Sequence, residues 1–253
     1  MKFNREFANQ IIDDLINCVD TASKEIMQIY NSDNFETSDK ADGSPLTLAD
    51  KASNQIITEG LKKITPDIAV ISEETFEDTI LKALPNLYWL VDPLDGTREF
   101  INKNDEFTVN IALIEDRKPV FGIVAAPVFE KCWHGSIFDN YHYDKNIPDV
   151  LRIVMSKSHK SDNDKSFLNF LNEKGVNYEI IEKGSSLKLC AIADNEADIY
   201  PRFGPTSEWD IAAGHAILKN AGGIITDFNG NEVFYGKKDF KNPSLIIKRG
   251  ENL

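Results

Sequence analysis

LYWLVDPLDGTREF, residues 87–100, decides how this chain is read. Its opening residues are apolar, β-branched or aromatic, and turn residues follow them, so LYWLVD (87–92) reads as a buried strand. Asp92 and Asp95 stand at its end, where the backbone turns and side chains leave the sheet. Pro93 fixes the backbone between them and donates no hydrogen bond. Two carboxylates across such a tight turn can converge on one point, and the Leu94 carbonyl can join them because turn carbonyls lack sheet partners. Oxygen ligands without Cys or His select Mg²⁺, Ca²⁺ or Mn²⁺ over zinc. Gly96 lets another group approach the backbone closely. Thr97 opens a short helix, TREFIN, whose free N–H groups favour a phosphate. The competing reading is an Asx-type turn in which both aspartates cap backbone groups.

Working outward, the apolar positions Ile11, Leu15, Val19, Ala22, Ile26 and Ile29 recur every three or four residues, which predicts an amphipathic helix over about 4–30. NSDNFETSDKADGSP is a loop. A second helix is expected from Thr47 to about Lys63, stopped by Pro66. IAVIS (68–72), FTVNIALIE (107–115), PVFGIVAAPV (119–128) and KCWHGSIF (131–138) read as further strands. The polar stretch 139–150 separates two halves, 1–145 and 146–253. The second half alternates: LRIVMS strand, 161–174 helix, VNYEII strand, SLKLCAIAD helix, ADIYP strand, SEWDIAAGHAILKNAG helix, then GGIITD and SLIIK strands. The expected architecture is α+β, with an α/β arrangement of layers in the second half.

Other acids can meet the pair. Glu73 and Glu74 end the strand AVIS, and Asp210 lies in the first turn of the helix starting near Ser207. Strand ends and helix N-termini are where α/β proteins assemble ligand sites. Taken singly, each has a plainer explanation: Asp210 as an acid complementing the helix dipole, Glu73 as a solvated acid. Asp50 matches a capping box with Thr47, yet a carboxylate fixed at a helix start is also well placed to polarise a water.

Composition narrows the function. The chain has 253 residues, and 41 acidic against 28 basic residues give a net charge of −13, which repels a nucleic-acid backbone and excludes long DNA or RNA as a ligand. Cys18, Cys132 and Cys190 are far apart and form no CxxC or paired framework, so they point to a reducing compartment. MKFNREFANQ has no apolar signal core, and no run approaches the roughly 20 apolar residues of a membrane helix. A cytoplasmic location is the expectation. Peripheral attachment to the inner membrane face is open to relatives, but no anchor is legible.

ISEE, WLVDPLDGTREF and WDIAAGHAIL resemble the three signature blocks of the inositol monophosphatase and fructose-bisphosphatase superfamily. Within it, KADGSPLTLAD, EFTVNIALI, SKSH, GSSLKLC and YPRFGPTSEWD are most similar to 3'(2'),5'-bisphosphate nucleotidases of the bacterial CysQ type. One departure is Gly43, where many relatives carry a larger polar residue. The resemblance implies the layered αβαβα sandwich of the sugar phosphatases and a lithium-sensitive, magnesium-dependent phosphomonoesterase. By the same resemblance Glu73, Asp92 and the Leu94 carbonyl hold one Mg²⁺, and Asp92, Asp95 and Asp210 hold a second. Glu73 also reaches a third, so two or three ions are expected. Thr97 and Asp50 would orient the attacking water and take its proton, while Gly96 and Thr97 N–H groups cradle the phosphate. The implied substrate is adenosine 3',5'-bisphosphate, cleaved to AMP, with 3'-phosphoadenylyl sulfate as a relative of it. Lys188 and Arg202 are the candidates for its second phosphate, with Ser185, Ser186, Ser156 and His159 as lesser ones. His159 is otherwise a helix cap, Lys188 a surface residue and Trp209 core packing. Many relatives form homodimers, though no interface is legible. The rival readings are inositol monophosphatase or fructose-1,6-bisphosphatase activity, and a non-catalytic protein that binds nucleotide or cations.

Overall fold

A computed structural model describes residues 2–32, 36–39, 45–76, 84–139, 148–157, 161–250 and 253. Gly43, His159 and most of the 139–150 stretch therefore lie outside the described residues.

The chain begins with α1 (Arg5–Asn31), whose Asn4 side chain caps the Phe7 N–H. The short pair β1 (Ser38–Asp39) and β2 (Pro45–Leu46) precedes α2 (Leu48–Ile64), which starts in a capping box between Thr47 and Asp50. Next come β3 (Ala69–Ser72), β4 (Leu87–Asp95), α3 (Thr97–Ile101), β5 (Thr108–Glu115), β6 (Lys118–Ala126) and β7 (Lys131–Ser136). The remainder is β8 (Leu151–Met155), α4 (Asp162–Glu173), β9 (Tyr178–Glu182), α5 (Leu187–Ala193), β10 (Ile199–Arg202), α6 (Glu208–Asn220), β11 (Ile224–Asp227) and β12 (Leu245–Lys248).

Two five-stranded sheets result, in the orders β3-β4-β5-β6-β7 and β11-β12-β10-β8-β9. In the first, β3 and β4 run parallel and the other neighbours antiparallel. In the second, β8 pairs parallel with β9 and β10, while β12 runs antiparallel to β10 and β11.

Strand alternation assigns the faces. Trp89 and Val91 of β4, with Val109, Ile111 and Leu113 of β5, pack against Leu15, Ile26 and Leu61 of α1 and α2. Tyr88, Leu90, Ala112 and Ile114 point the other way, into a core shared with α5, α6 and the second sheet. A smaller cluster of Ile153, Met155 and Leu171 seats α4 on the far side. The layers run helices, sheet, helices, sheet, helix: an α+β sandwich of αβαβα order.

One expectation is corrected. The strand expected to end at Asp92 continues to Asp95 through a bulge, with Asp92 opposite Asn110 and Asp95 opposite Thr108. The three-residue step on β4 faces a two-residue step on β5, so one residue is extra. In a regular strand Asp92 and Asp95 would point to opposite faces. The extra residue puts both on the face of Asn110 and Thr108, because directly paired residues share a face, while Leu94 packs on the α1–α2 side. The convergence expected of a turn is produced by a bulge.

Candidate active site

The acids meet at one end of the first sheet. Glu73 stands in the 3-10 turn Glu73–Thr75 that ends β3, Asp92 on β4 and Asp210 in the first turn of α6. These three offer carboxylate oxygens that all lie within 4.8 Å of one another. Asp92 is almost wholly buried and its Oδ1 accepts the Leu94 N–H at 3.1 Å. Asp210 Oδ2 accepts the Ser207 N–H at 2.9 Å. The Asx turn expected of Asp92 is thus realised in part, and Asp210 stands in the first turn of α6, where it also closes a capping box with Ser207, within an acidic cluster. Burial, then the charges of Asp95 and Glu73, push the Asp210 carboxyl up to about 8. Carboxylates this close, with hard oxygen donors and no Cys or His among them, fit a divalent cation such as Mg²⁺.

Asp95, also expected as a ligand, lines the same cleft but is not one of this group of three. Its Oδ2 accepts the hydroxyls of Ser185 at 2.7 Å and Ser186 at 2.9 Å. Gly96 follows in the left-handed region at φ 90°, and a Cβ there would stand 3.2 Å from the Glu106 carbonyl oxygen and 3.3 Å from Ser185 Cβ. Glycine is therefore required for both conformation and space. It lets the chain turn straight into α3, where Thr97 is the first residue.

Thr97 Oγ1 lies 3.0 Å from Asp50 Oδ1 and 3.3 Å from the Leu94 carbonyl. Asp50 is fully buried; its Oδ2 accepts the Thr47 N–H at 2.8 Å and the Thr47 hydroxyl at 2.5 Å. The capping box expected of Asp50 is present and holds one oxygen, and the other lies at the Thr97 hydroxyl. A hydroxyl that donates to a fixed carboxylate keeps its own lone pairs available to a water.

A cleft of about 610 Å³ opens over these groups. Beyond the acids, its wall carries Ser156, Ser185, Ser186, Lys188, Arg202 and Lys241. Lys188 is buried rather than a surface residue. Its Nζ donates to the Ser185 carbonyl at 2.7 Å and lies 5.6 Å from the Tyr200 ring centroid. Burial lowers its pKa to about 8, with Asp95 opposing that fall. Arg202 Nη2 donates to the Pro205 carbonyl at 3.1 Å, and Nε has no hydrogen-bond partner among the described residues. Trp209 packs in the core, its ring stacked 5.9 Å from that of Phe240.

Sequence reasoning missed the supports. Glu106 accepts the Gly184 N–H at 3.0 Å and pairs with Lys157 at 3.1 Å, tying the loop before α5 to the first sheet. Thr108 and Asn110 are buried polar residues alternating within an otherwise apolar strand, a signal that was legible in FTVNIALIE.

Comparison with known proteins agrees with this arrangement. Residues 8–252 match the profile of the inositol monophosphatase family. The chain is 42% identical over 236 residues to the 3'(2'),5'-bisphosphate nucleotidase CysQ of Salmonella typhimurium, covering 89% of this chain and 94% of that one. The corresponding protein of Escherichia coli strain K12 is 38% identical over 247 residues, covering 94% and 99%. The crystal structure of CysQ from Bacteroides thetaiotaomicron superimposes with a TM-score of 0.82 at 34% identity, covering 94% of this chain and 97% of that one. An IMPase of Thermotoga maritima shares the fold, with a TM-score of 0.77 at 20% identity over 94% and 93% of the chains. With nearly its whole length matched, and with acids from β3, β4 and α6 gathered in one cleft, the chain belongs to the inositol monophosphatase family.

Proposed function

We propose that this protein is a magnesium-dependent phosphomonoesterase that removes the 3'-phosphate of adenosine 3',5'-bisphosphate, giving AMP and phosphate, and that it also accepts 3'-phosphoadenylyl sulfate. The observation that carries the reading is the Glu73–Asp92–Asp210 cluster, within 4.8 Å, in a cleft that Arg202 and Lys188 also line. A monophosphate substrate needs the acids alone. A second anionic group gives the cationic side chains a purpose, and bisphosphate nucleotidases are among the relatives of 38–42% identity.

Glu73, Asp92, the Leu94 carbonyl, Asp95 and Asp210 would hold two or three Mg²⁺ ions. When bound, these supply Lewis-acid polarisation of the phosphoryl oxygens and lower the pKa of water. The residues do the remaining work. Thr97 accepts a hydrogen bond from the attacking water and donates its own to Asp50 Oδ1, so the water's proton moves to Thr97 as the Thr97 proton moves to Asp50, whose position the Thr47 cap fixes. Gly96 and Thr97, at the start of α3, offer backbone N–H groups to the scissile phosphate. Arg202 and Lys188, which line the same cleft, bind the far end of the substrate and hold the ester bond in line. Exposed Cys132 and the absence of disulfides among the described cysteines suit a cytoplasmic setting. No helix among the described residues is long and apolar enough to cross a membrane.

Phosphate release from a substrate panel, titrated with Mg²⁺, tests the assignment. Adenosine 3',5'-bisphosphate should exceed inositol 1-phosphate and fructose 1,6-bisphosphate in kcat/KM. Faster cleavage of inositol phosphate overturns the substrate, and nucleotide binding without turnover overturns the enzyme.

A further inference from the structure

Asp95 is gripped from two sides by a chain of hydroxyl and amide groups that begins in the sheet. Thr108 and Asn110 share one face of β5, opposite Asp95 and Asp92 respectively. Both are buried, at 0% and 1% exposure, in a strand whose other members are almost all apolar. Thr108 Oγ1 lies 2.6 Å from Ser185 Oγ, and Asn110 Nδ2 donates to Ser186 Oγ at 2.9 Å. Ser185 then donates to Asp95 Oδ2 at 2.7 Å, with the Asp95 carbonyl 3.1 Å away. Ser186 lies 2.9 Å from Asp95 Oδ2 and 2.8 Å from the Asp210 carbonyl.

The proton count gives the chain a direction. Each serine hydroxyl has one hydrogen. Asn110 can only donate through Nδ2, so it occupies a lone pair of Ser186 and leaves the serine proton for Asp95 or the Asp210 carbonyl. If Ser185 gives its proton to Asp95, Thr108 must donate to Ser185. Ser185 donates to Oδ2, Ser186 stands against the same oxygen, and Oδ1 accepts no hydrogen bond from the described residues. Ser185 holds its place at φ 49°, a left-handed conformation uncommon outside glycine, which the double hold of Thr108 and Asp95 stabilises.

We propose that Thr108 and Asn110 are positioning residues: acting through Ser185 and Ser186, they fix the rotamer of Asp95, committing Oδ2 to the protein and reserving Oδ1 for a cation. This rests on the metal-dependent reading above. It adds that the two serines serve the carboxylate rather than the substrate, and that two sheet residues outside the acidic cluster set cation affinity. Removing a hydrogen-bonding support behind a metal ligand costs about 10–100-fold in affinity or activity.

The test compares Thr108→Val, Thr108→Ser, Asn110→Leu and Ser185→Ala with wild type. Cation binding is measured directly, by calorimetry with Mg²⁺ and by electron paramagnetic resonance with Mn²⁺, in the absence of nucleotide. Melting is measured in chelator, and kcat and KM at saturating Mg²⁺. The expected result is cation binding at least about tenfold weaker in Thr108→Val, Asn110→Leu and Ser185→Ala, with KM little changed. Thr108→Ser, which keeps the hydroxyl, should restore it. Wild-type cation affinity in these variants, with losses confined to melting in chelator, overturns the proposal; so does a Thr108→Ser protein as weak as Thr108→Val. Ser185→Ala alters a loop rather than the packed sheet, so it decides the question even if a β5 variant does not fold. The cation titrations contain no nucleotide, so a wrong substrate assignment leaves their result standing.

Discussion

At the scale of single residues, Asp95 separates charge from shape. Asparagine keeps its volume and an oxygen for the two serines, but supplies no charge to a cation. Asp95→Asn should lower kcat by at least about a hundredfold. It should leave melting in chelator unchanged or raise it, because the charge of Asp95 is one of those pushing Asp210 up. Phosphate-release kinetics beside melting curves check both halves. Arg202 is the second decisive residue. A charged hydrogen bond to phosphate is worth about 1.5–3 kcal/mol, so Arg202→Ala should raise KM for adenosine 3',5'-bisphosphate by roughly 10–150-fold. A nucleoside 3'-monophosphate, lacking the second phosphate, should be affected by less than about threefold. Arg202→Lys should fall between, since the ammonium keeps the charge without the planar fork. Steady-state kinetics with both substrates check this. The acids were legible in the sequence because each stands at or near a recognisable element end. The orientation of Ser185 and Ser186 was not: GSSLK shows two hydroxyls near a lysine, and nothing in it says that they turn toward Asp95 on another strand.

At the scale of elements, periodicity gave the helices within a residue or two, and the caps explain why. Thr47 with Asp50, and Ser207 with Asp210, are local signals that stop where the backbone says they do. The bulge in β4 was hidden, because DPLDG reads equally as a turn and the paired strand that reveals the extra residue lies elsewhere in the chain. Helix α6 shows a different element-scale effect. His215 is buried there, its Nδ1 2.9 Å from the Tyr235 hydroxyl, and burial, aided by Lys219, lowers its pKa to about 3. The unfolded chain holds His near 6.5. Between these values the unfolded state binds the proton and the folded state does not. The stabilising contribution is therefore complete above about pH 6.5 and is lost as pH falls toward 3, by up to about 1.4 kcal/mol per pH unit. Urea unfolding at pH 7, 6 and 5 should show wild type losing stability faster than His215→Gln. Parallel slopes would place the pH sensitivity in other groups.

At the scale of the whole molecule, the layers bring together residues that sequence keeps apart. Asp50 comes from α2, Glu73 from β3, Asp92 and Asp95 from β4, and Asp210 from α6, which packs between the two sheets. Strand ends and a helix start made their meeting an open expectation, and the resemblance to a known family made it a definite one, since no local pattern states that α6 lies against β4. The same assembly makes the site a source of instability without cations. Like charges a few ångströms apart repel, and burial with that repulsion raises the Asp210 carboxyl to about 8. A divalent cation that binds only the folded state reverses this. At about a hundred times its dissociation constant, one such ion adds about 2.7 kcal/mol of stability. For a chain of this size that corresponds to a rise of about 5–10 °C in melting temperature. Adding Mg²⁺ to chelator-treated protein should produce that rise, and it should shrink in Asp95→Asn, whose site is already relieved of one charge. Sodium at equal ionic strength should reproduce only a small part of it, because screening acts weakly on buried groups. An equal rise with sodium would mean that general screening, and not a seated divalent ion, relieves the cluster.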